Sequence, residues 1–293
     1  MLSIFWVIDV PGKAMKPLLA LCAILAGAGC ASSSPMSGSC DPPCQDWQEC
    51  IDGICAPTAC CPDAPPGEIW YSISGKILDI TTMQGVRASI CLYSPMDALT
   101  GDDPTCIPDQ CCWESDEDGN FFIPCQPYPE EVALGCMTMM DDPEWDGNGG
   151  RLFPTGSGGC GWDTDNGDPC VYDARHYALP NTLVAALDAE TSTDSAGYGF
   201  VMGYVVDSSG NPVAGAVIKK GDGSDLVEVI YPDATFTTFD GTATAESGFF
   251  VLPHTNFAGG ITEIVAEKNG MTFGAEKAAP KAGFCYFVYI LAN

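Results

Sequence analysis

Short runs of β-branched and aromatic residues alternate with glycine-rich polar turns along the C-terminal third of the chain. Such runs occupy Gly203–Asp207, Val213–Ile218, Phe249–Pro253, Ile261–Glu267 and Phe284–Leu291. Several short strands at this spacing, with few helical stretches, are typical of an antiparallel β-sandwich. The hydrophobic pattern therefore predicts an all-β fold for this region.

Two of these segments carry more specific local signals. Val213–Ile218 has small or apolar residues on both alternating faces, which predicts a strand packed on two sides. Asn269–Gly270 separates the last two runs and predicts a type I′ hairpin turn.

The same order of segments occurs earlier in the chain. It is a strand ending in Asp, a polar turn, a second strand, a connection, and a third strand entered through Gly. The spacing from Gly75 to Gly119 is within one residue of that from Gly203 to Gly248, so the repeats keep register. We expect positive φ angles at Gly119 and Gly248, in the turn before each aromatic strand. The matching segments are Gly75–Asp79 with Gly203–Asp207, Gly85–Tyr93 with Gly210–Ile218, and Asp116–Pro124 with Glu246–Pro253.

The second repeat has a family resemblance. The strings Gly203–Ile218 and Thr244–Pro253 resemble the carboxypeptidase regulatory-like domain, a prealbumin-type β-sandwich. The resemblance covers residues 198–293 well and residues 68–190 more loosely. It implies a non-catalytic accessory module that aids folding, packing or surface display, and it brings no catalytic residue.

The predicted fold class is accordingly all-β, with two tandem antiparallel Ig- or prealbumin-like sandwiches after a small disulfide-rich module. The sandwiches are expected at residues 68–190 and 198–293. The first repeat is the longer one if its last strand lies near Leu183–Leu187. We therefore expect an acidic, Cys-rich insertion at residues 141–170.

The N-terminus has the succession of an export signal. Lys13 and Lys16 precede the apolar run Leu18–Leu25, which is about half as long as a membrane-spanning helix requires. The ending Leu25–Cys30 resembles the bacterial lipobox and implies cleavage after residue 29, with a lipid on Cys30. Ordinary signal cleavage beside an incidental cysteine is the alternative. Ala31, in place of Asp, implies sorting to the bacterial outer membrane.

Residues 31–39 are small and polar, and predict a flexible tether. Residues 40–61 resemble short Cys-rich, EGF-like modules, with Asp52–Gly53 as a hairpin turn. A module of this size cannot bury a core without cross-links.

Cysteine usage indicates an oxidising compartment, because 17 Cys are far more than a protein of a reducing cytosol normally has. Residues 40–61 contain six cysteines and residues 91–170 contain eight. These even numbers suit three disulfides in the first cluster and four in the second, with Cys285 left as a buried free thiol. Zinc is the alternative for the first cluster, although no His lies near it. The cysteines predicted to form disulfides are Cys40, Cys44, Cys50, Cys55, Cys60 and Cys61 in the first cluster, and Cys91, Cys106, Cys111, Cys112, Cys125, Cys136, Cys160 and Cys170 in the second.

The net charge of −28 makes nucleic acid an unsuitable partner, because the acidic surface repels phosphates. The partners we expect are the membrane, through the lipid, and a surface protein or polysaccharide. The first functional hypothesis is a non-catalytic cell-surface lipoprotein that acts as a structural, adhesive or binding module. An enzyme is the least favoured class, with hydrolase the one activity to consider, because no nucleophile accompanies His176 or His254 in the sequence.

The second hypothesis is Ca²⁺-dependent binding of a carbohydrate or protein through the insertion. Asp163 and Asp165 alternate before Gly167, and Asp168 follows it. Such oxygen ligands around a Gly turn are what a Ca²⁺ loop requires, although the EF-hand spacing is not met. A solvated acidic loop between Cys160 and Cys170 is the alternative. Asp116–Gly119 is interpreted as a turn, since its counterpart Ala245–Gly248 in the second repeat has almost no ligands.

The calcium hypothesis predicts a Ca²⁺-dependent melting temperature. The stabilisation is about 2.7 kcal/mol at a hundredfold excess of Ca²⁺ over Kd, because the ion binds only the folded chain. A thermal melt with Ca²⁺ and with EDTA measures it, and the Asp163→Asn, Asp165→Asn variant should lose the shift. An equal shift in the variant, or none in the wild type, contradicts the hypothesis.

Overall fold

The structure is a computed structural model that describes residues 48–51, 54–57, 61, 70–93, 112–127, 137–141, 150–158, 170–258 and 260–292. Chain contacts divide the protein into two compact units, residues 1–58 and 59–293. Within the described part, no helix is both long and apolar enough to cross a membrane.

The first unit contains a small antiparallel hairpin. Strand β1 (Gln48–Ile51) pairs with β2 (Ile54–Pro57), and Ile51 lies opposite Ile54. The connection is therefore the two residues 52 and 53, as the Asp-Gly signal predicts.

The first part of the second unit contains eight described strands and one helix. The strands are β3 (Trp70–Asp79), β4 (Ser89–Tyr93), β5 (Cys112–Glu114), β6 (Asn120–Pro127), β7 (Met137–Asp141), β8 (Leu152–Phe153), β9 (Thr155–Gly158) and β10 (Cys170–Pro180). Helix α1 (Asn181–Glu190) follows β10 directly.

The expected strand near Leu183–Leu187 is wrong, because these residues lie in α1. Leu183, Val184 and Leu187 are its buried side chains, and their spacing places them on one face of a helix. The last strand of this part is β10, and α1 packs its apolar face on the core behind that strand.

The second part contains six described strands. They are β11 (Phe200–Val206), β12 (Val217–Lys220), β13 (Phe249–Pro253), β14 (Thr262–Glu267), β15 (Ala275–Ala278) and β16 (Cys285–Leu291). A short 3-10 helix, His254–Phe257, follows β13.

Both parts have the same sandwich topology. In the N-terminal sandwich, one sheet contains β6-β3-β10 and the facing strands are β4-β7-β9. In the C-terminal sandwich, the corresponding strands are β13-β11-β16 and β12-β14-β15. The predicted all-β sandwich class is confirmed. The sheets differ from the antiparallel expectation in one respect, because β3 pairs with β10, and β11 with β16, in parallel.

A buried hydroxyl holds the turn after the first strand at equivalent places in both sandwiches. The Oγ of Ser115 donates to the carbonyl of Val86 at 3.0 Å and accepts from the N–H of Ala88 at 2.9 Å. The Oγ1 of Thr244 donates to the carbonyl of Val213 at 2.7 Å and accepts from the N–H of Ala216 at 2.9 Å. The two repeats therefore share internal hydrogen bonds as well as strand order.

Turn geometry agrees with one of the two sequence signals. Gly119 and Gly248 have φ of 80° and 76°, as predicted. In the turn between β14 and β15, Gly270 has a positive φ but Asn269 does not. The predicted type I′ turn is therefore wrong, since that type needs positive φ at both residues, and a single positive φ in second place is typical of type II.

The described residues of the second unit form three hydrophobic cores. The first lies inside the N-terminal sandwich, around Ile73, Ile90 and Phe121. The second lies inside the C-terminal sandwich, around Phe250 and Ile264. The third, which we name the shared core, draws on both sandwiches and on α1. Its members include Tyr177, Leu179, Leu187, Phe200, Met202, Tyr204, Phe249 and Phe287.

The shared core makes β11 buried along its whole length. Every residue from Phe200 to Val206 is buried. Val201 and Val205 face the C-terminal core, whereas the alternate residues Met202 and Tyr204 face the shared core. Two-sided packing is predicted for Val213–Ile218, but regular strand structure in that segment begins only at Val217. The strand that is packed on both faces is β11.

The two sandwiches also share a sheet. Strand β9 pairs with β16 in parallel, with Thr155 opposite Cys285 and Ser157 opposite Phe287. This pairing, which we name the joint, produces one long sheet in the described residues, with strand order β13-β11-β16-β9-β7-β4-β5.

The joint corrects the expected insertion at residues 141–170. Strands β8 and β9 lie inside this range, and β9 corresponds to β15 of the other sandwich because β9 pairs with β7 in the same antiparallel way as β15 pairs with β14. The segment is therefore not one continuous departure from the repeat. Its residues 142–149 and 159–169 lie outside the described part of the chain.

Two disulfides are formed among the described residues. Cys91 and Cys112 lie opposite each other on β4 and β5. Cys61 is bonded to Cys125 on β6, with their Cα atoms 5.4 Å apart. The expected division into three bonds among residues 40–61 and four among residues 91–170 is therefore wrong, because this bond connects the two groups. Its position beside the β3–β6 pair explains the connection, since β3 begins soon after Cys61.

Gly75 provides a direct test of the parallel β3–β10 pair. A Cβ at this position would lie 2.0 Å from the carbonyl oxygen of Ala174 on β10, so the backbone would have to move. We expect Gly75→Ala to lower the free energy of unfolding by about 3 kcal/mol, as measured by urea denaturation. Gly274→Ala is the matched control, because the nearest atom to its Cβ is 3.9 Å away. Equal stability of the two variants would contradict the pairing.

Candidate functional site

Several predicted site residues lie outside the described part of the chain. They include the lipidation residue Cys30 and the calcium candidates Asp163, Asp165 and Asp168. Both proposals therefore stay predictions. The predicted disulfide cysteines that also lie outside it are Cys40, Cys44, Cys60, Cys106, Cys111, Cys136 and Cys160.

Several described aspartates cap tight turns. Asp79 Oδ1 accepts from the N–H of Thr81 at 2.8 Å, and Asp207 Oδ1, at the equivalent place, accepts from the N–H of Asn211 at 2.9 Å. The hydrogen bonds from Asn211 lower the pKa of Asp207. Asp116 Oδ1 accepts from the N–H of Asn120 at 2.7 Å, so Asp116–Gly119 is a turn, as predicted. Among the described residues, no group of three or more His, Cys, Asp or Glu is placed to hold a metal ion.

His176 has a serine neighbour that sequence reasoning missed. Its Nδ1 lies 3.0 Å from the Oγ of Ser157, which lies on the facing strand β9. The residues are far apart in sequence, and only the β9–β10 juxtaposition brings them together. Ser157 and His176 are 3% and 6% exposed, inside the N-terminal sandwich. A serine nucleophile has to reach its substrate, so this buried pair is built for packing and hydrogen bonding rather than for hydrolysis.

The environment of His176 keeps the ring neutral. Burial lowers its pKa from 6.5 to about 4. The ring of Phe121 lies 5.6 Å away, between centroids. Ile290 occupies the equivalent position in the C-terminal sandwich, because His176 lies opposite Ile77 and Ile290 opposite Val205.

The other histidine has different surroundings. His254 stacks on Tyr198 with ring centroids 4.2 Å apart. It begins the 3-10 helix that follows β13, whereas His176 lies inside the N-terminal sandwich. The two histidines therefore do not form one site.

The aromatic residues of β16 contact both the C-terminal sandwich and strand β10. Tyr289 donates from its hydroxyl to the carbonyl of Arg175 at 2.6 Å. Phe287 packs against Tyr177, with centroids 5.4 Å apart. Burial raises the pKa values of Tyr177 and Tyr289. Phe287 and Tyr289 connect the sandwiches, and Tyr286 and Tyr289 are half-buried.

Cys285 is a buried free thiol, as predicted. It is 0% exposed in the shared core, and burial raises its pKa. Because a thiolate is the reactive form of cysteine, this side chain is inert packing in the folded protein.

A surface groove of about 570 Å³ lies at one end of the β12-β14-β15 sheet. It combines the charged residues Lys220, Asp222 and Glu263 with Val227 and Ile261, which are 73% and 64% exposed. Ionic and apolar groups side by side are suited to binding a ligand with both kinds of surface.

Asn256 shapes this groove from below. Its Oδ1 accepts from the N–H of Val227 at 2.8 Å, and its Nδ2 donates to the carbonyl of Glu228 at 2.6 Å. The side chain is buried and keeps the Val227 loop against the 3-10 helix. The exposed Val227 is therefore carried by a loop with fixed backbone contacts.

Comparisons with known proteins give distant matches only. No family model matches the chain, and no curated protein matches it. Among solved structures, the Bacillus anthracis TIE protein is 12% identical over 77% of this chain, with a TM-score of 0.22. This chain spans 34% of that protein.

Two pilin structures give similar values. The shaft pilin SpaA of Lactobacillus rhamnosus GG is 12% identical over 77% of this chain and 97% of its own, with a TM-score of 0.21. A streptococcal ancillary pilin is 10% identical over 76% of this chain and 62% of its own, with a TM-score of 0.22. Such low TM-scores carry no weight for the fold, which is established by the strands and cores described above.

The buried histidine predicts an acid-sensitive fold. The unfolded chain takes up the imidazole proton near pH 6.5, whereas folded His176 resists it down to about pH 4. The free energy of unfolding should therefore fall by about 1.4 kcal/mol per pH unit below 6.5, and stay level above pH 7. Urea denaturation at pH 7.5, 6 and 5 measures this slope.

His176→Gln removes the titrating group and should flatten the slope between pH 6.5 and 5. His254→Gln, which removes the other histidine, is the control and should keep it. A His176→Gln variant with the wild-type slope would show that another group causes the acid sensitivity.

Proposed function

We propose that this protein is an exported, non-catalytic surface lipoprotein that acts as a structural, adhesive or binding module. In this proposal Cys30 carries the lipid that anchors the chain to the bacterial outer membrane. Residues 198–293, and more distantly 68–190, are copies of the carboxypeptidase regulatory-like sandwich. The partner is a surface protein or polysaccharide.

The observation that carries the proposal is the connection of the two sandwiches. They share both the long sheet and the shared core, so the second unit has no flexible hinge between its sandwiches in the described residues. A unit built in this way holds its C-terminal sandwich at a fixed position relative to its N-terminal sandwich. That property suits a spacer or display platform.

The disulfides support export. Cys61–Cys125 and Cys91–Cys112 are bonds of the kind that persist in oxidising compartments and are rare in a reducing cytosol. The mature surface is strongly acidic, which favours solubility outside the cell.

The chemistry of the described polar groups supports a non-catalytic role. Asp79, Asp116 and Asp207 cap turns, Ser157 and His176 are buried together, and Cys285 is enclosed by the shared core. These groups are occupied in stabilising the fold. The groove beside Val227 and Ile261 has the composition of a contact surface for the partner.

Anchoring is tested by expressing the chain in a lipoprotein-processing bacterial host. Wild type should partition into the detergent phase and carry a diacylglycerol mass on its N-terminal peptide, because the lipid supplies the membrane affinity. Cys30→Ala should move the protein to the aqueous phase.

Cys22→Ala is the matched control, because it removes a cysteine from the apolar run and should leave partitioning unchanged. A wild-type protein whose mature N-terminus lies elsewhere, or that is equally soluble with and without Cys30, would exclude the anchor.

A further inference from the structure

The strands β9 and β15 occupy the same place in the two sandwiches but have different neighbours. Ile90 and Ile218 each lie two residues beyond the alanine bound by the buried hydroxyl, so they are equivalent. They pair with Met140 and Ala266, and two residues earlier Thr138 and Ile264 pair with Ser157 and Glu276. Glu276 therefore stands where Ser157 stands in the N-terminal sandwich.

The outer edge of β9 is used inside the molecule. Its sequence, Thr-Gly-Ser-Gly, has no charge, and it pairs with β16 at the joint. Ser157 is buried there opposite Phe287. This position of the sandwich therefore accepts an added strand.

The outer edge of β15 has no paired strand at residues 275–278 in the described chain, although the preceding Gly274 donates its N–H to the carbonyl of Leu291 on β16 at 2.9 Å. In the described residues β15 is the last strand of its sheet, and a single bridge from Phe273 to Ala292 precedes it. It carries Glu276, which is partly buried, and the exposed Lys277. Burial raises the pKa of Glu276, so this carboxylate already lies in an environment that disfavours its charge. An added strand would bury it further, which costs free energy without a counter-charge.

The other half of a joint is altered too. Strand β10 corresponds to β16. In the N-terminal part of β10, which corresponds to the part of β16 that meets β9, the pairing of β10 with β3 shifts register between Val171 and Ala174. Such irregularities and edge charges are the means by which natural sheets prevent edge-to-edge pairing.

We infer that the charges of Glu276 and Lys277 prevent the edge strand β15 from pairing with a second molecule of this chain. Pairing between sandwiches is thereby limited to the joint within one molecule. Strand β15 occupies the position of β9 in the repeat, and it differs from β9 in carrying two charges. Because the pairing of β10 is irregular, β15 without these charges pairs with β15 of a second molecule. The two copies are antiparallel across a two-fold axis, which gives a dimer rather than a fibre.

The test is Glu276→Ser with Lys277→Thr in the Cys30→Ala form of the full chain, which has no lipid. In sedimentation equilibrium, the protein that keeps Glu276 and Lys277 should be a monomer. The double variant should be a concentration-dependent dimer, with association roughly tenfold tighter or more than that of the protein that keeps both charges. Hydrogen exchange should show new protection at residues 275–278 in the dimer.

The matched control is Glu267→Thr with Lys268→Thr, which removes the same two charges at the end of β14, away from the β15 edge. It should stay monomeric. A monomeric Glu276→Ser, Lys277→Thr variant with native unfolding stability would overturn the inference. So would equal association of the control, or a dimer without protection at residues 275–278.

Discussion

The burial of the β13-β11-β16 sheet on both faces is the constraint on which the rest of the second unit depends. One face closes the C-terminal sandwich, and the other face needs a cover that this sandwich does not supply. Tyr177 and Leu179 of β10, together with the apolar face of α1, provide it. A large aromatic surface that is left in water is unfavourable by roughly 25 cal/mol for each Å². The C-terminal sandwich is therefore an incomplete structure without the N-terminal one.

The joint and the shared core reinforce each other. Pairing of β9 with β16 aligns the sheets, so that β10 lies over β11 and β16. The helix that follows β10 then packs on the same core. The link between the sandwiches thus consists of backbone hydrogen bonds on one side and side-chain packing on the other, and it requires no interdomain linker of its own. A surface module benefits from this construction because force applied at one end reaches the other end without bending at a hinge.

Local signals in the sequence were sufficient for the repeat. The residue pattern predicts the glycine turns and the aspartates at the strand ends, because near neighbours determine each of them. It predicts the free thiol because the remaining cysteines are even in number. These residues are Gly119, Gly248, Asp79, Asp207 and Cys285. The joint was not predictable in this way. Thr-Gly-Ser-Gly at β9 has no strand-like composition, and it becomes a strand because β7 and β16 supply hydrogen bonds on both sides. Likewise, Ser157 and His176 meet only through the fold, and Cys61 reaches Cys125 only because β3 lies beside β6.

The central claim is that the two sandwiches unfold as one cooperative unit, and Cys285 in the shared core reports on it. Pulsed thiol labelling of the Cys285 peptide, followed by mass spectrometry across a urea series, measures the opening of this core. Hydrogen exchange of residues 73–77 on β3 measures the N-terminal sandwich in the same samples. We predict that both probes have the same midpoint, because the shared core and the joint are lost together. Labelling of Cys285 at low urea, while residues 73–77 stay fully protected, would show that the sandwiches are independent and would contradict the account.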